Sequence, residues 1–154
     1  LLKNYNMALY GANWEKDKEL KPYARGHLER RDLYYQQFMT NQINLSINPW
    51  GRHHARIFEG GLCGAFFLIY KVPEDICEHF LPKELIAGEH FDYFSDAEEL
   101  YEKSQYYLCR PDLRKKIGKN LQKVVSQHFS YENLCKNYIK KFLSKIRKSL
   151  LKNK

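Results

Sequence analysis

Between Gly51 and Glu59 the chain reads Gly-Arg-His-His-Ala-Arg-Ile-Phe-Glu, followed by Gly60 and Gly61. Arg52, His53, His54 and Arg56 are hydrogen-bond donors able to meet an anion. Glu59, the one acid among them, sits three residues after Arg56, so the two can share a helix face. A carboxylate in a basic neighbourhood is suited to accept from a pair of sugar hydroxyls. Glycines let a backbone come close to a ligand or a sheet. The chemistry that fits is the holding of an anionic, hydroxyl-rich molecule. The plain alternative is a buried crossover in which Arg56 and Glu59 form a structural ion pair.

The flanking elements say how such residues would be positioned. Ile43-Asn44-Leu45-Ser46-Ile47 alternates and reads as a strand. Asn48-Pro49-Trp50-Gly51 breaks it, residues 53–63 read as a short helix, and Ala65 to Tyr70 is a continuous apolar run expected to be a buried strand. Strand, turn, helix and strand make a βαβ unit. The loop after its first strand lies at the carboxyl edge of the sheet, where open α/β folds bind ligands. The helix N-terminus there favours anions.

Upstream, residues 6–11 read as a short strand ending at Gly11, residues 23–28 as a second weak strand, and residues 31–41 as a helix stopped by Asn41. Its apolar stripe is expected to include Leu33, Tyr34 and Phe38. Downstream, Pro73 opens a short helix over 74–80, and Lys83 to Ala87 reads as another strand. Ser95 with Glu98 has capping-box spacing. Residues 112–128 form an amphipathic helix through Leu113, Ile117, Leu121, Val124 and Val125. Ser130 caps a last helix in which Leu134, Tyr138, Phe142, Ile146 and Leu150 recur at a four-residue step.

Composition narrows the function classes. The 154 residues suffice for one cored domain, and twelve Tyr and nine Phe argue against disorder. No G-x-G-x-x-G follows the first strand and no P-loop string occurs, which disfavours dinucleotide dehydrogenases and P-loop enzymes. Cys63, Cys77, Cys109 and Cys135 contain no C-x-x-C pair, so reduced thiols in or near the core are expected and no metal site. The net charge of +8 is carried wholly by Lys136, Lys140, Lys141, Lys145, Arg147, Lys148, Lys152 and Lys154, with no acid after Glu132. The basic character thus belongs to a terminal helix rather than to a nucleic-acid face. The reading is a domain over 1–132 and a basic amphipathic helix over 133–154. That helix could pack on protein or lie on a membrane surface. No apolar run is long enough to span a bilayer.

The string Arg-Ile-Phe-Glu-Gly-Gly-Leu-Cys-Gly-Ala, residues 56–65, resembles the donor-site signature of GT-B glycosyltransferases, in the bacterial CgeB-like, group 1 branch. Arg56, Ile57, Phe58, Glu59, Cys63, Gly64 and Ala65 carry the match. Gly11 with Trp14, Glu84-Leu85-Ile86, residues 91–100 and residues 128–132 extend it over most of the chain. The resemblance implies an α/β fold, a Rossmann-like parallel sheet flanked by helices with further C-terminal helices, forming one half of a GT-B fold. It implies that Glu59 binds the ribose of a nucleotide-diphosphate sugar, the donor substrate, with no permanently bound cofactor. Gly51, Gly60, Gly61 and Arg56 would line the site, and Gly11 and His27 would border the nucleotide. Arg52, His53 and His54 are the candidates for contact with the diphosphate or the reacting sugar.

A sugar, lipid or protein acceptor is implied, as is a cytoplasmic location with peripheral inner-face membrane contact as an option. A complete GT-B enzyme needs two Rossmann-like domains and this chain holds one, so the N-terminal partner domain is expected to be missing, and the start at Leu1 rather than Met reads as that of a fragment. The chain alone is then expected to bind without turnover. The first glutamate of the E-x7-E pattern of many retaining enzymes is replaced by Gly51, which leaves stereochemistry open. The alternatives are a nucleotide-sugar 2-epimerase of the same architecture and a non-catalytic membrane-associating module.

Overall fold

The structure, a computed structural model, describes residues 5–29, 32–47, 55–72 and 82–152. Its centre is a three-stranded parallel sheet in the order β1 (Asn44–Ser46), β2 (Phe67–Tyr70), β3 (Asp92–Phe94). Leu45 is opposite Leu68, and Ile69 is opposite Tyr93. The middle strand is the expected apolar run, and its pleat explains why it must be apolar throughout. Phe67 and Ile69 enter one buried cluster with Ile57, Leu121 and Val125; Phe66 and Leu68 enter another with Phe94, Tyr107 and Ile117. A parallel strand covered on both faces has no polar side to show.

Helices cover both faces: α1 (Asp32–Thr40), α2 (Ala55–Leu62), α3 (Ala97–Leu108) and α4 (Pro111–His128). β1, α2 and β2 form the expected βαβ unit. α2 ends in a Schellman arrangement: Ala65 N–H donates to Gly60 C=O (3.0 Å) and Gly64 N–H to Gly61 C=O (2.9 Å). Gly64 has φ +75°, which only glycine adopts without strain. α4 crosses directly above this turn, because a Cβ at Gly118 would strike the Gly64 carbonyl oxygen.

Upstream, Leu9 and Ala24 pair in a single parallel bridge, with Leu9 N–H to Tyr23 C=O and Arg25 N–H to Leu9 C=O both at 2.8 Å. The two short strands expected around 6–11 and 23–28 are therefore present as one bridge rather than as full strands. α1 stops before Asn41, whose N–H closes on Gln37 C=O (2.9 Å).

Four expectations need correction. Lys83–Ala87 is not a strand: Lys83 and Glu84 form a turn closed by Leu85 N–H to Pro82 C=O, and Ala87 makes a single isolated bridge with Phe91. The strand lies instead at Asp92–Phe94, where the aromatic neighbours Phe91, Tyr93 and Phe94 outweigh the acid. The cap of α3 is Asp96, whose Oδ1 accepts from Glu99 N–H (2.8 Å); Ser95 donates from its backbone N–H and its hydroxyl to Glu99 Oε2. The capping box is displaced one residue from the Ser95–Glu98 spacing. Leu33 is 63% exposed and takes no part in the apolar face of α1, which is Tyr34 and Phe38. Cys109 and Cys135 are exposed rather than near the core, while Cys63 is half-buried. The helix expected over 74–80, and Cys77 with it, lies outside the described residues.

After α4 the chain turns at Phe129. Ser130 caps α5 (Tyr131–Leu134), as its spacing implies, accepting from Asn133 N–H (3.3 Å). A π-helical turn over Cys135–Ile139 leads into α6 (Lys140–Lys152). A strict four-residue apolar step overshoots a 3.6-residue turn, and a wider turn lets the stripe realign.

Candidate functional site

Glu59 lies in the second turn of α2, the helix that leaves the carboxyl end of β1. It is half-buried, and the hydroxyl of Tyr34 on α1 donates to its Oε2 at 2.6 Å. Tyr34 is fixed in turn by edge-on contact with Phe38 (ring centroids 4.9 Å). The tyrosine ring fills the core and its hydroxyl reaches the rim, where it holds the carboxylate. A hydrogen bond to an ionised acceptor is among the stronger kinds. It fixes the orientation of a group that accepts at about four lone-pair positions.

The two glycines after Glu59 are explained by packing. A Cβ at Gly60 would lie 2.5 Å from the Phe67 ring and 2.8 Å from that of Phe38. A Cβ at Gly61 would lie 3.0 Å from Val125 and 3.1 Å from Leu121. Both are buried, so they bring α2 against the sheet and α4. This close approach is what sets Glu59 at the edge of the core. Ile57 and Phe58, on the same helix, anchor it: Ile57 is fully buried, and Phe58 stacks obliquely on Phe129 at 5.1 Å.

Arg56, one turn before Glu59, is exposed. Cys63, one turn after it, has its thiol pKa raised by burial and by the Glu59 charge, which keeps it protonated. It is therefore a poor nucleophile. Gly51, Arg52, His53 and His54 lie outside the described residues.

Gly11 and His27 belong to the Leu9–Ala24 region. Gly11 has φ +127° and donates to Gly26 C=O at 2.8 Å, while Trp14 Nε1 donates to Tyr10 C=O at 3.1 Å. His27 is exposed; Leu28 beside it packs against the cluster that contains Tyr34 and Ile57. The glycine turn and the His27 segment are thus brought together by backbone bonding, and Tyr34 with Glu59 by side-chain bonding.

Tyr34 was not singled out by spacing except as a core position. The available signal was chemical: a buried tyrosine hydroxyl needs a partner, and an isolated acid near a core needs a donor. A second polar cluster closes β3 against α3. Asp92 accepts from Tyr107 Oη (2.8 Å) and Lys103 Nζ (3.2 Å), and Lys103 also reaches Tyr93 C=O. Burial, then the Asp92 contact, pushes the Tyr107 pKa well up, so the hydroxyl remains a donor. Burial pulls the Lys103 pKa down, but the bonds and charges of Glu99 and Asp92 outweigh it and the net shift is upward. This cluster ties helix to strand. Among the described residues no group of three or more metal-ligating side chains occurs.

A parallel sheet covered on both faces, with a βαβ unit whose helix presents an oriented carboxylate, defines an α/β Rossmann-like fragment. The chain belongs to the glycosyl transferase-like family, whose model matches residues 1–140. It is a glycosyltransferase domain of the group 1 type. No curated protein matches the chain.

Proposed function

We propose that this domain binds the donor of a GT-B glycosyltransferase, a nucleotide-diphosphate sugar, and that Glu59 accepts from the ribose hydroxyls. The observation that carries the reading is the Tyr34–Glu59 hydrogen bond, which orients a carboxylate in the second turn of the helix after β1. This is the edge of the sheet where open α/β folds take their ligands. Arg56, exposed one turn earlier, supplies positive charge toward the diphosphate. Arg52, His53 and His54 are assigned the remaining donor contacts and the stabilisation of the departing diphosphate. Gly11 and His27 border the base.

The whole enzyme moves the sugar to an acceptor that is a sugar, a lipid or a protein, on the cytoplasmic side of a bacterial cell. A second Rossmann-like domain supplies the acceptor side and the base, so this chain binds donor without turnover. Calorimetric titration with UDP, GDP and dTDP tests the reading. Saturable binding of one nucleotide, weakened by Glu59→Ala, is expected. Equal affinity in the variant would remove Glu59 from the site.

A further inference from the structure

The last helix has no role in the donor reading, and its surroundings are unusual for a helix of a packed domain. Every side chain from Ile139 to Lys148 is exposed. Four of them are large and apolar: Ile139, Phe142, Leu143 and Ile146, between 41% and 61% exposed. At 3.6 residues per turn they fall within an arc of about 100°. Lys140, Lys141, Lys145, Arg147 and Lys148 occupy the rest of the helix surface. No acidic residue follows Glu132, whose carboxylate is engaged by Lys136.

We infer that α6 lies in the surface of an anionic lipid bilayer, its apolar stripe among the acyl chains and its cations among the headgroups. The two faces of the helix have to be satisfied together, and this decides the occupant. Nucleic acid would meet the basic face and leave Phe142 and its neighbours in water. A second copy of α6 would bury the apolar stripes but leave the cations, on the opposite face of each helix, without a counter-charge. An anionic bilayer offers hydrocarbon to one face and negative charge to the other along one plane. No helix among the described residues is long and apolar enough to cross a membrane, so the fitting geometry is in-plane. The inference is independent of the donor reading and stands or falls without it.

The test is flotation of the full chain with vesicles of phosphatidylcholine alone and of phosphatidylcholine mixed with phosphatidylglycerol. Binding to the mixed vesicles at least about tenfold tighter than to the neutral ones, and weakened by salt, is expected. Lys141→Gln/Lys145→Gln/Lys148→Gln should remove the preference for anionic vesicles, and Phe142→Ser/Ile146→Ser should abolish binding. These side chains are exposed, so both variants should keep the wild-type melting curve. Sedimentation velocity without lipid should show a monomer. Failure to bind mixed vesicles, unchanged binding by the Phe142→Ser/Ile146→Ser variant, or a lipid-independent dimer that this variant dissociates would overturn the inference.

Discussion

Tyr34 Oη donates to Glu59 Oε2 at 2.6 Å, across 25 residues of sequence and between two helices. The bond joins the buried aromatic cluster of α1 to the most informative carboxylate of the chain. Tyr34→Phe keeps the ring and deletes only the donor. It should cost about 1.5–3 kcal/mol of stability, as for a hydrogen bond to a charged group. Nucleotide affinity should fall as well, but less than in Glu59→Ala, because the carboxylate remains while its orientation is lost. Denaturant melts and titrations of the two variants check this.

The glycines of the crossover make a prediction that runs against helix propensity. Gly→Ala inside a helix is ordinarily favourable by about 1 kcal/mol. Here Gly118→Ala drives a methyl group into the Gly64 carbonyl oxygen, and Gly60→Ala drives one into the Phe67 and Phe38 rings. Each should destabilise by about 1–3 kcal/mol. Gly118→Ala should be the worse, because backbone yields less than a ring, and Gly61→Ala the mildest, because its methyl group meets only the aliphatic side chains of Val125 and Leu121, at 3.0 and 3.1 Å, which need give by only a few tenths of an ångström. Thermal melts of the three variants give the order.

The start of α3 should be sensitive to acid. The Ser95 hydroxyl, Lys103 and the Ser95 N–H hold the Glu99 carboxyl down to about 2, against an ordinary value of 4.5. A depressed folded-state pKa stabilises the fold above the ordinary value, and this contribution is lost as the pH falls from 4.5 toward 2. Glu99→Gln should flatten that part of the stability profile. Asp96→Ala removes the cap itself and should cost about 1 kcal/mol. Chemical denaturation at a series of pH values between neutrality and 2.5 would resolve both effects.

The sequence was most readable where one physical constraint dominated. β2 is buried on both sides, so it had to be a continuous apolar run. α4 has one face on the core, so its apolar residues recur at helical spacing. Ser130 is a cap with no competitor nearby. Readability failed where neighbouring residues offered equivalent choices. Ser95 and Asp96 can both cap α3, and the acid won because its carboxylate meets Glu99 N–H while Ser95 serves the Glu99 side chain. Lys83–Ala87 was the expected strand, and Asp92–Phe94, not singled out as one, is the segment that pairs with β2.

In the candidate site, Glu59 was legible as a lone acid among bases. Its partner was not, since Tyr34 reads as core from its spacing and the bond depends on how two helices pack. Gly60 and Gly61 could serve a ligand or the core by sequence alone. The packing role shows only in three dimensions, where Phe38, Phe67, Leu121 and Val125 stand against the missing Cβ positions.

The central claim is that Glu59 accepts from ribose hydroxyls, and it is tested most directly by comparing a nucleoside diphosphate with its 2′,3′-dideoxy analogue on the wild type and on Glu59→Ala. The account predicts that the wild type favours the ribose form by about 1.5–3 kcal/mol and that the variant binds the two forms equally. A variant that keeps the wild-type preference would contradict it and place the ribose elsewhere.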